Sequence, residues 1–166
     1  EETVRGAFPV FLYEQTDALI YGTDVNLSIH PTSFFRMNFT YAIVRGEDRT
    51  QNIPLVYMPA DNLTASISVL PKDSKKLSHT SINLTGRYVW EQTRLLPEQD
   101  FLAPPPAYFL LGLSASTTLA LKRNKLGINF RVENMLNTTY RDYLNRLRYF
   151  ADELGVNASL GLNYSF

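Results

Sequence analysis

The sequence predicts an all-β protein, an antiparallel meander of about seven to eight strands. Two observations carry this prediction. Apolar and polar residues alternate along most of the chain, which places a different kind of side chain on each face of a strand. The connections between the alternating segments are also alternately short and long, which is typical of consecutive strands that pair with one another and run in opposite directions.

Seven segments carry the alternation, and in each the apolar face opposes residues that are mostly Asn, Ser, Thr, Gly, Arg and Glu. In chain order the predicted strands are residues 19–30, 35–43, 62–69, 82–91, 109–121, 126–133 and 158–166. Residues 8–13 are too apolar to show a clean period. This stretch is therefore an eighth strand or a connection that tucks against the others.

The lengths of the connections indicate a sheet that crosses a membrane. Short links at residues 30–33, 71–77 and 122–125 alternate with long links at residues 45–60, 93–107 and 136–155. A transmembrane meander has tight turns on its periplasmic side and long loops on its outer side, whereas a soluble sandwich has no reason to sort its loops in this way. The strands also approach the length of about nine to eleven residues that a tilted strand needs to cross the hydrocarbon.

Alternation alone does not decide which face points outward, because a lipocalin-like barrel buries its apolar face and a membrane barrel shows it to lipid. The polar face has many small uncharged residues, which suit a wet lumen. Its charged members, the candidates for lumen-facing residues, are Arg36, Arg87, Arg131 and Glu133. Aromatic residues near strand ends match the girdles at lipid–water interfaces: Tyr13, Tyr41, Tyr88, Trp90, Tyr164 and Phe166.

Composition excludes several classes of function. The 166 residues suffice for one ordinary domain, and 16 basic residues balance 16 acidic ones, so the basic stripe of a nucleic-acid-binding protein is absent. There is no cysteine for a thiolate nucleophile or a metal cluster, and neither His30 nor His79 has carboxylates at metal-ligand spacing. Without a nucleotide or hydrolase motif, we predict no enzyme, no metal site and no cofactor.

The last long connection has the clearest ligand-binding chemistry, because arginines and tyrosines are interleaved there. Forked hydrogen bonds and ring stacking could contact an anionic or aromatic ligand; the candidate contacts are Tyr140, Arg141, Arg146, Arg148 and Tyr149. The alternative, which we favour, is that these side chains pack against one another and cap the loop.

Several motifs together resemble one known family. The chain from residue 130 contains a V-x-N-hydrophobic-hydrophobic-N-x-x-Y strand end, followed by an aromatic-x-Phe terminus. These positions are Val132, Asn134, Met135, Leu136, Asn137 and Tyr140, then Tyr164 and Phe166. With the stretches GAFPVFLYEQTDALIYGTDVNL, IPLVYMPADNL and PPPAYFLLGLSAS, they resemble TonB-dependent outer-membrane receptors over nearly the whole chain. Thr23, Asp24 and Val156 depart from the family pattern without threatening the fold.

The resemblance implies that the chain is the C-terminal part of a plugged transmembrane barrel of roughly 22 strands. Such receptors lie in the Gram-negative outer membrane and take up a scarce nutrient, most often a ferric siderophore, haem or another metal complex. The implied partners are that ligand, outer-membrane lipid and the TonB complex. The TonB complex would act through an N-terminal region that this chain lacks, as it also lacks the plug and the earlier strands. By similarity, Tyr164 and Phe166 form part of the signal read by the outer-membrane assembly machinery.

Two alternatives remain open from the residues. The chain could be a complete small eight-stranded outer-membrane barrel with a structural or adhesive role, in which residues 8–13 form the first strand. It could also be a soluble ligand-binding β-barrel with its apolar face turned inward.

Overall fold

A computed structural model describes residues 2–3, 6–7, 15–96 and 100–166 of the chain. The predicted strand or connection at residues 8–13, with Tyr13, lies outside the described residues. The strands are β1 (Glu2–Thr3), β2 (Gly6–Ala7), β3 (Ala18–Thr32), β4 (Phe35–Asp48), β5 (Ile53–Pro54), β6 (Asn62–Val69), β7 (Leu77–Val89), β8 (Tyr108–Leu121), β9 (Asn124–Glu133) and β10 (Asn157–Ser165). One 3₁₀ helix spans Arg146–Tyr149.

The seven longer strands form one sheet in the order β10-β9-β8-β7-β6-β4-β3, and β5 folds back on the end of β4. Every pairing in this sheet is antiparallel. The short strands β1 and β2 pair only with each other. The predicted all-β antiparallel meander is therefore confirmed, and each of the seven segments predicted from alternation is a strand.

The hairpin of β3 and β4 is longer than the sequence pattern predicts. Ala18 pairs with Asp48, and Glu47 and Asp48 in turn pair with the two residues of β5. Arg45, which the prediction placed in a long connection, consequently lies within β4. Hydrogen bonding on both sides of the strand extends it past the point where the apolar period ends.

The two faces of the sheet have the opposite character that the alternation predicts. One row of residues in register across five strands is polar: Arg36, Ser68, Asn83, Ser114 and Arg131. A row on the other face is apolar: Met37, Ile67, Leu84, Leu113 and Val132. Because side chains alternate with a period of two, the antiparallel register keeps each kind on its own side.

No second layer of the described chain covers the apolar face. Among the described residues only Val89, Tyr108 and Tyr143 are buried apolar side chains. Large apolar residues are exposed on β3, β6, β7, β8, β9 and β10, and those of β4 are half-buried. An exposed contiguous apolar surface of this extent indicates contact with a partner or with lipid. No helix in the described part of the chain is long and apolar enough to span a membrane.

The connections sort by length as predicted. At one end of the strands, which we call the short-link edge, the connections are short: residues 33–34, 70–76 and 122–123. At the other end, the long-loop edge, they are long and are called the first, second and third long loops: residues 49–61, 90–107 and 134–156.

The adjacent residues Ser66 and Ile67 of β6 test which face meets lipid. We expect Ile67→Lys to destabilise the full-length protein in a lipid bilayer by up to about 2–4 kcal/mol, because a lysine that points into hydrocarbon loses its hydration. Ser66→Lys on the polar face is the matched control and should change stability little. Denaturant titration of the bilayer-folded protein measures both variants. A larger loss for Ser66→Lys would contradict the assignment of the faces.

Candidate functional site

The three long loops meet around the side chain of Arg148, which is only 2% exposed. Its guanidinium forms an ion pair with Asp100 of the second long loop and donates to the carbonyl oxygen of Ala103 at 3.4 Å. The rings of Tyr143 and Tyr149 lie 5.0 and 4.7 Å from the guanidinium carbon. Both rings are within the range of a cation–π contact. Because Asp100 and Ala103 belong to the second long loop, Arg148 joins that loop to the third.

Tyr57 brings the first long loop into the same cluster. Its hydroxyl lies 3.1 Å from the Tyr149 hydroxyl, and its backbone N–H donates to the Tyr143 hydroxyl at 3.4 Å. The Tyr149 hydroxyl also donates to Asp100 at 2.5 Å. Burial, reinforced by this hydrogen bond to a carboxylate, raises the pKa of Tyr149 because both favour the neutral phenol. We call Tyr57, Asp100, Tyr143, Arg148 and Tyr149 the loop cluster.

Two asparagines at the base of the third long loop explain part of the motif that the sequence shares with receptors. Asn134 and Asn137 have positive φ angles of 49° and 50°, a conformation that asparagine tolerates better than most residues. The Asn134 side chain accepts from the Thr138 N–H at 2.8 Å and donates to the Thr138 carbonyl at 2.9 Å. Asn137 accepts from the Val156 N–H at 3.1 Å. These bonds turn the chain out of β9 and close the loop at its base.

The rim of the third long loop is held by a second set of contacts. The Nε of Arg141 donates to Asp152 at 2.5 Å, and its Nη1 donates to the Arg148 carbonyl at 2.8 Å. The Tyr140 ring centroid lies 4.6 Å from that of Tyr108, whose hydroxyl donates to Asp142 at 2.9 Å.

Arg45 and Asp61 form a forked ion pair where β4 and β6 reach the long-loop edge. The two guanidinium nitrogens donate to the two carboxylate oxygens at 2.5 and 2.7 Å. These hydrogen bonds lower the pKa of Asp61, because they favour the charged carboxylate. The pair therefore fixes the first long loop to the sheet with defined geometry.

The five residues predicted to contact a ligand all lie in or around the loop cluster. Arg148 is buried and Tyr149 is half-buried, and both are bonded to Asp100. Arg146 is exposed and lies 5.5 Å from the Tyr57 ring centroid, while Tyr140 and Arg141 line the rim. In this geometry these side chains pack the loops, and ligand contact by them stays a prediction.

The four charged residues predicted to face a lumen share the polar face. Arg87, Arg131 and Glu133 line an open concavity of about 480 Å³ beneath the third long loop, and Arg36 lies in the same face two strands beyond β7. Arg131 pairs with Glu133 at 3.5 Å, with both side chains mainly exposed. Their common face agrees with the sequence pattern, and the lumen itself stays a prediction.

The aromatic residues predicted at strand ends form two groups. Trp90 makes edge contacts with Tyr41 and Tyr88, at centroid distances of 5.8 and 4.8 Å. Tyr164 and Phe166 lie at the short-link edge with their ring centroids 6.5 Å apart, and the Asn124 amide donates to the Tyr164 hydroxyl.

Within the described residues, no group of three or more His, Asp or Glu side chains is placed to hold a metal ion.

Sequence reasoning missed Asp100 and Tyr57 as members of the cluster. Arg148 and Asp100 are 48 positions apart, and Tyr57 and Tyr149 are 92 apart. No local spacing indicates which carboxylate or ring will meet an arginine on another loop. Only the sheet register brings those loop ends together.

Comparison with known proteins supports the fold. No protein-family model and no curated protein matches the chain. Among solved structures, the chain is similar to one described as "Copper transporter OprC", with a TM-score of 0.76 at 18% sequence identity. The alignment covers 91% of this chain and 23% of that one. The chain therefore spans about a quarter of the matched protein, and the likeness is one of fold.

Substitution of Asp100 by alanine tests the loop cluster. We expect Asp100→Ala to cost about 3–5 kcal/mol locally, because the buried Arg148 guanidinium loses its carboxylate. The loss should appear as faster protease cleavage and faster amide exchange in the second and third long loops of the full-length protein. The control, Arg131→Gln, removes an exposed pair and should change both by little. Equal behaviour of the two variants would contradict a cluster that holds the loops.

The Arg45–Asp61 pair predicts a pH dependence. Because the pKa of Asp61 is lower in the folded chain than its unfolded value of about 3.9, the pair adds stability above that value. This stability is lost as the pH falls through the folded pKa. The difference in stability between the full-length protein and its Asp61→Asn variant should therefore shrink in acid. A difference that does not change between neutral and strongly acidic pH would contradict this account.

Proposed function

We propose that the chain is the C-terminal segment of the transmembrane barrel of a TonB-dependent outer-membrane receptor. One observation carries the proposal: a single-layer antiparallel meander has one apolar face, one polar face, and all three long loops at the same edge. Such a sheet suits a barrel wall between lipid and an aqueous lumen, with its long loops at the outer surface. The receptor motifs from Val132 to Phe166 support the same assignment.

The free edges of the sheet favour a large barrel over a small closed one. Within the described residues, β3 and β10 lie at opposite ends of the sheet and do not pair with each other. An open edge exposes unpaired N–H and C=O groups, which cannot remain unpaired in hydrocarbon. Further strands of a barrel of roughly 22 strands would pair with both edges. The exposed apolar face likewise counts against a soluble barrel that turns this face inward.

We infer that the cargo is a metal complex, such as a ferric siderophore, haem or a copper complex. The fold likeness to a protein described as a copper transporter supports transport of a metal in general. The exposed Arg146 on the third long loop carries a positive charge that suits an anionic complex. Energy would come from the TonB complex through a plug and N-terminal region outside this chain. The assembly machinery would read Tyr164 and Phe166.

Apparent size and heat-modifiability of the native protein test this proposal. An antibody against this segment is used on an outer-membrane fraction that is run unheated and boiled. We expect a band several times larger than 18.9 kDa that shifts on boiling, because folded barrels resist detergent until heated. A shifting band near 18.9 kDa would instead indicate a complete small barrel. The absence of a band from the membrane fraction would contradict both and favour the soluble barrel.

A further inference from the structure

A groove separates the proline run of the second long loop from the base of the third. It has a volume of about 560 Å³. Leu102, Phe109 and Leu136 form its apolar lining and are all exposed, Leu136 by 58%. Arg141, Asp152 and the exposed Thr139 supply polar groups on the third long loop side, and the Asp152 carboxylate is paired with the Nε of Arg141. The groove therefore combines an apolar wall with a polar rim.

A second hollow, which we call the furrow, adjoins the groove at Phe109 and lies on the apolar face of the sheet. This furrow has a volume of about 250 Å³, and its lining is almost wholly apolar. The lining residues come from β4, β6, β7 and β8: Met37, Phe39, Leu63, Ala65, Ile67, Leu84, Gly86, Tyr88, Phe109 and Leu111. Phe109 lines both hollows. Its ring lies over Gly86, where an added Cβ would come within 3.0 Å of the ring carbons.

Further strands of the sheet cannot cover this furrow. β4, β6, β7 and β8 are interior strands, each paired on both sides. The furrow opens from the face of the sheet, away from the edges where a barrel would continue. Its occupant therefore comes from the medium that surrounds the apolar face.

The polar groups of the groove on the third long loop side favour an occupant with a charged head group. The guanidinium of Arg141 uses Nε and Nη1 for Asp152 and the Arg148 carbonyl. Its Nη2 has no hydrogen bond to any of the described residues, and the Arg141 side chain is 39% exposed. A planar guanidinium with a free donor edge suits a phosphate oxygen, and an adjacent threonine hydroxyl adds a second donor.

We propose that the groove and furrow together bind one phosphate-bearing acyl lipid of the outer leaflet. An acyl chain lies in the furrow against Ala65 and Phe109, and the phosphate lies in the groove beside Arg141 and Thr139. This inference rests on the proposed function, because only a chain in the outer membrane presents its long-loop edge to that leaflet. It adds a defined lipid site to a face that otherwise meets lipid without selection.

Native mass spectrometry of the full-length protein in neutral detergent tests the site, with dipalmitoyl phosphatidylglycerol as the probe. Ala65→Phe fills the furrow, and Ala158→Phe makes the same change on the apolar face of β10. Arg141→Gln removes the guanidinium, and Arg36→Gln does so on the polar face. We expect Ala65→Phe and Arg141→Gln each to lower retention of one tightly held lipid by about tenfold, and the two controls to leave it unchanged.

A lipid that lacks phosphate separates the head-group contact from chain burial. Dipalmitoylglycerol should be retained about tenfold less than phosphatidylglycerol, because it offers no charged partner for Arg141. Equal retention of the two lipids, or equal retention by all four variants, would overturn the inference. If the outer-membrane band still shifts on boiling in that case, the proposed function stands and the lipid site alone fails. A missing membrane band would instead contradict the proposed function.

Discussion

Hydrogen bonds between neighbouring strands hold this structure together, because no second layer of the described chain packs against the sheet. Only three apolar side chains in the described residues are buried, so little of the stability can come from an internal core. Interior strands satisfy their peptide groups within the sheet, which lets one face be largely apolar without unpaired backbone groups behind it. The same constraint makes the edges of β3 and β10 the incomplete part of the fold, since their outward peptide groups need further strands.

The loop cluster depends on that sheet. The antiparallel register brings all three long loops to one edge. Arg148 of the third long loop then pairs with Asp100 of the second and contacts the rings of Tyr143 and Tyr149 in its own loop. Tyr57 of the first long loop is hydrogen-bonded to those two tyrosines. A charge that is removed from water must be paired, so loss of the Asp100 carboxylate would leave the buried guanidinium of Arg148 uncompensated and destabilise the cluster. The loops are thereby joined to one another as well as to their strands. With this support, the third long loop holds its exposed residues, such as Arg146, in a fixed position relative to the sheet.

Periodicity predicted the seven longer strands and the parity of their connections, because a period of two and the length of a link are local properties. It placed Arg45 outside its strand, because pairing with β3 and β5 extends β4 where the apolar period has stopped. The motif asparagines were visible in the sequence, whereas their left-handed turns were not. The carboxylate partner of Arg148 lay beyond any sequence argument, since Asp100 is 48 residues away and only the register brings it close.

In the proposed barrel wall, the apolar face meets lipid while the polar face meets water. Single cysteines introduced at Ile82, Asn83, Leu84 and Thr85 of β7 test this assignment of the two faces. Because the chain has no native cysteine, no other thiol of this segment reacts. Each variant of the full-length protein is labelled in intact outer membranes with a membrane-impermeant maleimide and with a lipid-soluble one. We expect positions 83 and 85 to react with the impermeant reagent and positions 82 and 84 to react only with the lipid-soluble one. The reverse order, or no alternation, would contradict it.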